Sequence, residues 1–167
     1  VPDRCPESLS RYQNIGRKLG RVTIQRMDHV SVVVDDLASA TAFFAELGME
    51  VEGRAAVEGR WVDSVCGLEG VRADITMMRT PDGRGRVELT KFHAPAAIAA
   101  EPERAPANTL GLRSIMFAVE DIEDVLARLR AHGAELIGGL ERYEDSYRLC
   151  YVRGPENIIV ALAEQLG

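Results

Sequence analysis

The sequence predicts an α+β protein built from two tandem β-α-β-β-β modules, on the strength of three observations. The stretch RMDHVSVVVDDL (Arg26 to Leu37) recurs as GLRSIMFAVEDI (Gly111 to Ile122). A single offset carries Asp36 to Asp121, Leu37 to Ile122, Gly48 to Gly133 and Glu50 to Glu135 without a gap. Each copy is then followed by three further segments with strand-like composition. A repeat this short cannot bury both faces of a small sheet alone, so the halves are expected to pack on each other or on another chain.

The elements follow in order. MDHVSVVVDD is rich in β-branched residues and reads as a strand. DLASATAFFAELGM places Leu37, Ala40, Phe43, Phe44 and Leu47 at helical spacing, with Gly48 as the stop. MEVEGRAAVEG reads as a strand, RWVDSVCGLEG as a loop or short turn, and VRADITMMRT as a strand. PDGRG supplies the dihedrals of a turn, and RVELTKF alternates as the fourth strand. A linker follows, HAPAAIAAEPERAPANTLG, with three of the chain's seven prolines. The series then restarts with LRSIMFAVED as a strand and DIEDVLARLRAHG as a helix, whose Ile122, Val125, Leu126 and Leu129 share a face. AELIGGLERYE, SYRLCYVRG and NIIVALAEQ complete the second set of strands. The expected organisation is an N-terminal extension (1–24), a first module (25–93), a linker (94–110) and a second module (111–167), forming one structural domain. Ser8 is positioned to cap a short helix in the extension.

Bulk properties narrow the function. Apolar residues make up 46% of the 167 and charged residues 28%, a globular composition. A net charge of −6 opposes nucleic acid, which needs a basic face. No apolar run approaches the roughly 20 residues that span a bilayer, so no membrane partner is expected. Three cysteines, Cys5, Cys66 and Cys150, have neither disulfide-framework nor metal spacing. A cytoplasmic location with reduced thiols is the expectation.

Paired modules with MDHVSVVVDDL, PDGRGRVELTKF, LRSIMFAVEDIEDVLARLRAHGAEL and YRLCYVRGPENIIVALAE, in this order, resemble the vicinal oxygen chelate superfamily. That group includes glyoxalase I, extradiol dioxygenases, fosfomycin-resistance enzymes and bleomycin-resistance proteins. The resemblance covers roughly residues 26 to 165. It implies that each module curls into a half-barrel, and that inward residues on its first and last strands hold a divalent metal. His29 and Glu88 match that pattern in the first module. The corresponding second-module positions hold Ser114 and Ala161, which match no ligand. Catalytic zinc keeps about three protein ligands, and non-haem iron oxygenases use two His and a carboxylate. One imidazole and one carboxylate fall short of both, and a classical extradiol dioxygenase is disfavoured.

Strand alternation then shares out the side chains. With His29 inward, Ser31 and Val33 face the cavity; with Glu88 inward, so do Arg86 and Thr90. On the second module Ser114 brings in Met116 and Ala118, and Ala161 brings in Ile159 and Ala163. One wall is polar and ionisable, the other small and apolar, as suits an organic ligand with a polar end. The candidate ligand-binding set is Ser31, Arg86, Thr90, Ser114, Met116 and Ala161.

His29 and Glu88 admit three readings: a hydrogen-bonded structural pair, metal ligands, or an acid–base pair in which Glu88 orients the imidazole. Arg86 reads as a surface or dimer-contact residue before an anion clamp. His93 is expected in solvent and His132 at a helix C-terminus, where a cation suits the dipole. Trp61 and Asp63 fall where such folds often close over a ligand, and Cys150 is expected to be a buried, inert thiol.

Two function classes remain. One is a metal-free protein of the bleomycin-resistance kind that binds a small organic molecule. The other is a glyoxalase-type lyase or isomerase using His29, Glu88 and a divalent ion (nickel, zinc, manganese or iron). Either is expected as a homodimer.

Overall fold

The computed structural model describes residues 24–167. The helix expected from Ser8 lies outside the described residues. Among these residues, eight strands and three α-helices run in the order β1 (Val30–Val33), α1 (Leu37–Glu46), β2 (Glu50–Glu58), α2 (Arg60–Cys66), β3 (Arg72–Arg79), β4 (Arg86–Ala94), β5 (Ser114–Val119), α3 (Ile122–Arg130), β6 (Glu135–Tyr143), β7 (Tyr147–Arg153) and β8 (Ile159–Gln165), with one 3-10 turn at Pro155–Asn157.

They form two four-stranded curved sheets of the same topology, β1-β4-β3-β2 and β5-β8-β7-β6. In each sheet the first strand lies parallel to the last and the remaining pairs are antiparallel. The internal repeat is therefore a structural repeat. It extends to the helix caps: Asp36 starts α1 by accepting from Ser39 N at 2.9 Å, and Asp121 starts α3 by accepting from Glu123 N and Asp124 N at 3.1 and 3.0 Å. Each carboxylate satisfies backbone donors that the first helical turn leaves without partners.

The two modules share one core on the helix side of the sheets. Val32, Val34, Phe43, Phe44, Met78, Val87 and Leu89 of the first module join Ile122, Val125, Leu129, Val152, Val160 and Leu162 of the second. Phe44 meets Phe117 edge-on at 6.3 Å between ring centroids. Arg128 on α3 bonds the carboxylate and the carbonyl of Glu46 at the end of α1, and His132 Nε2 lies 3.6 Å from the same carboxylate. His132 thus reaches past its own helix end to the neighbouring one.

One segment departs from the sequence expectation. RWVDSVC is a helix, not a loop, opened after Gly59 and closed by Gly67 in the left-handed conformation at φ 66°. The flanking glycines were the available signal. α2 lies against the open face of the first sheet, away from α1. There Val62, Trp61 and Val71 pack with Val57, Ala73, Ile75 and Phe92 in a second apolar cluster. Asp63 closes the following turn by accepting from Gly70 N and Val71 N at 3.1 and 2.7 Å. Trp61 and Asp63 therefore serve packing and turn geometry.

Candidate functional site

β1 and β4 are adjacent and parallel, with Ser31 opposite Glu88 and Val33 opposite Thr90. Val32 and Val34 of β1 are buried under the helices, so Ser31 and Val33 occupy the open face. Glu88 and Thr90 share it. Glu88 Oε1 accepts from Ser31 Oγ at 2.8 Å and from Thr90 Oγ1 at 3.1 Å. These bonds fix the carboxylate plane and leave Oε2 facing His29. Thr90 is itself buried, so it positions Glu88 and presents little surface to a ligand.

His29 stands immediately before β1. Its Nδ1 lies 3.0 Å from Asp28 Oδ2. A carboxylate only accepts, so Nδ1 carries the proton and donates. Its Nε2 is 3.9 Å from Glu88 Oε2. That is too long for a hydrogen bond. Of the three readings of His29 and Glu88, a direct hydrogen bond between them does not fit this distance; Asp28 holds the imidazole instead. Asp28 is adjacent in sequence, and its acceptor chemistry was the signal for it. With Nδ1–H committed to Asp28, Nε2 is the ring nitrogen left for another partner, and the neutral form of the ring presents a lone pair there. In that neutral form Nε2 and Glu88 Oε2 are two acceptors facing each other across the gap. Their side chains are 29% and 19% exposed.

Arg86 reaches sideways to Glu52, with Nε at 2.6 Å and Nη2 at 2.9 Å from its two carboxylate oxygens. This two-pronged bond uses the guanidinium fork. Glu52 sits at a register shift in β2, which alternation alone did not place on this face. His93, expected in solvent, bonds Asp74 at 2.9 Å while remaining exposed.

In the second sheet, Met116 pairs with Ala161 and Ala161 with Tyr151. Met116 corresponds to Ser31, so Ala161 occupies the position that Glu88 holds in the first module. Ala161 is fully buried and offers no surface to a ligand. Met116 is 57% exposed, and Tyr143, Tyr147 and Tyr151 are exposed as well. Ser114 lies at a different place from Met116: it lines a cleft between β1 and β5 that also reaches Ser31. The six ligand-binding candidates thus separate. Ser31, Thr90 and the pair His29–Glu88 form one polar patch, Ser114 shares a neighbouring cleft with Ser31, and Met116 stands on the other open face.

The donor set does not make a complete metal site. Among the described residues no three His, Cys, Asp or Glu side chains converge to hold an ion. His29 and Glu88 supply two donors, Asp28 is engaged with Nδ1, and Ser114 and Ala161 supply no strong ligand. Cys150 is buried on β7, where loss of hydration pushes its thiol up, as an inert core cysteine requires.

Two repeats of this topology, with a polar patch on the open face of one sheet, define a class of paired half-barrel proteins. Residues 26–162 match the model of the Glyoxalase/Bleomycin resistance protein/Dioxygenase superfamily, and the chain belongs to that family. A glyoxalase family protein from Bacillus cereus is 49% identical and superposes with a TM-score of 0.85, over 90% of this chain and 100% of that one. Two more distant structures share the fold. The trypanothione-dependent glyoxalase I of Leishmania major is 18% identical, with a TM-score of 0.59 over 84% of this chain and 87% of that one. A fosfomycin resistance protein from Listeria monocytogenes, complexed with manganese(II), is 14% identical, with a TM-score of 0.54 over 84% and 90%. No curated protein matches the chain.

Proposed function

We propose that this protein binds a small organic molecule on the open face of its first module, without a resident metal ion. The observation that carries the reading is the gap between His29 Nε2 and Glu88 Oε2, 3.9 Å across. With the imidazole neutral both atoms accept hydrogen bonds, while Asp28, Ser31 and Thr90 hold the two side chains from behind. A ligand that fills the gap therefore brings donors, as a hydroxyl, amine or amide group does. The apolar cluster around Ile75 and Phe92 on the same face gives the remainder of such a ligand a surface to lie against. Recognition by two pre-positioned acceptors needs no ordering of the site on binding.

The same two acceptors favour a second reading, a divalent-metal-dependent lyase or isomerase of the glyoxalase type. Metal analysis separates the two. After incubation with nickel, zinc, manganese or iron(II) and passage over a chelating resin, the protein is expected to retain no stoichiometric ion. A screen of hydroxyl- and amine-bearing organic molecules is expected to raise its melting temperature, and His29→Ala to abolish that rise without lowering the starting value. A stoichiometric ion lost in both His29→Ala and Glu88→Gln overturns the metal-free reading. We also propose a homodimer, supported by the apolar surface that Met116, Tyr147 and Tyr151 leave exposed on the second open face.

A further inference from the structure

The edge strands β1 and β5 border a cleft of about 590 Å³ between the two modules, closed on one side by the linker. Its size lies within the range of sites for small ligands, about 300–1,000 Å³. Apolar side chains dominate the lining: Val33, Ile98, Leu112, Ile115 and Ile159. Four charged residues also line it, Asp35, Glu103, Arg113 and Glu156. Two are engaged. Glu156 Oε1 accepts the backbone N–H of Asp35 at 2.8 Å, and Glu103 Oε1 accepts from the side-chain amide of Asn157 at 3.3 Å.

The other two are not. Arg113 is half-buried, and its guanidinium donates from Nε to the carbonyl of its neighbour Leu112, at 2.9 Å. The outer guanidinium nitrogens have no carboxylate partner among the described residues, and neither does the Asp35 carboxylate a cation. One unpaired cation and one unpaired anion thus border one apolar cleft without meeting each other. A half-buried guanidinium without a counter-ion loses hydration for no return. A ligand carrying both opposite charges supplies both missing partners.

We propose that this cleft is a second binding site, distinct from the His29–Glu88 patch, for a zwitterion of the α-amino-acid type with a large apolar side chain. Its carboxylate pairs with the fork of Arg113, its ammonium with Asp35, and its side chain lies among Val33, Ile98 and Leu112. The hydroxyl of Ser114 at the cleft wall provides further hydrogen-bonding capacity.

Titration calorimetry with three probes tests this: L-phenylalanine, 3-phenylpropionate (the same skeleton without the ammonium) and phenethylamine (without the carboxylate). L-phenylalanine is expected to bind, and each truncated probe at least about tenfold more weakly, as loss of one charge-assisted hydrogen bond implies. Arg113→Gln is expected to bring L-phenylalanine down to the level of phenethylamine and leave phenethylamine unchanged. Asp35→Asn does the reciprocal with 3-phenylpropionate. His29→Ala leaves all three values as they are. The proposal is overturned by no binding of any probe, by equal binding of all three, or by loss of binding in His29→Ala, which would put the ligand on the polar patch. Matching melting temperatures of the variants and the parent exclude a folding effect.

Discussion

Thr76 sits fully buried on the helix side of β3, opposite Leu89, and its hydroxyl has no hydrogen-bond partner among the described residues. A buried hydroxyl that gives up water and gains nothing in return is a net cost. Thr76→Val keeps the shape and removes that cost. The midpoint of urea unfolding is expected to rise, at unchanged slope, by an amount worth about 1 kcal/mol. Asp36 makes the opposite case. Its backbone and side-chain hydrogen bonds from Ser39 hold its carboxyl below the ordinary value of 3.8. A depressed acid stabilises the fold above its unfolded value and stops doing so as the pH falls through the folded one. Asp36→Asn, which keeps a capping oxygen but does not titrate, is therefore expected to flatten the stability loss below about pH 4, read from melting temperatures across the acid range.

At the scale of elements, the turn from Gly154 to Asn157 is one of the contacts between modules. A Cβ at Gly154 would stand 2.9 Å from Cζ and 3.1 Å from Cε1 of Phe43, which is buried in α1. Phe43 in turn packs edge-on against Phe44, with ring centroids 5.4 Å apart, and cannot retreat without disturbing the shared core. Gly154→Ala is expected to cost about 1–3 kcal/mol, measured by urea unfolding. The same turn anchors its neighbours. Arg153 holds the linker through the carbonyls of Arg104 and Ala105, and Glu156 binds the backbone of Asp35 at the end of β1. The strands and the two long helices were legible because their apolar periods are strong. The helix α2 was not, because seven residues give too little period to tell a helix from a loop.

At the scale of the molecule, the helix faces are shared between modules and the opposite faces are open. A second copy is the partner proposed for the exposed Met116, Tyr147 and Tyr151. Light scattering is expected to return twice the monomer mass, and Tyr151→Glu to shift the population towards monomers, since it places a charge in an apolar contact. A monomeric parent protein would refute the dimer. No described helix is long and apolar enough to cross a membrane.

The sequence by itself determined the duplication, the strand and helix faces, and the asymmetry between His29 with Glu88 and Ser114 with Ala161. Those properties are local, or follow from a period of two or of 3.6 residues. Only the tertiary structure decided that Asp28 holds the imidazole, that Glu52 takes Arg86, that α2 covers part of the open face, and that β1 and β5 border a cleft with two unpaired charges. Such pairings depend on distances between strands and on a register shift, which no periodicity encodes.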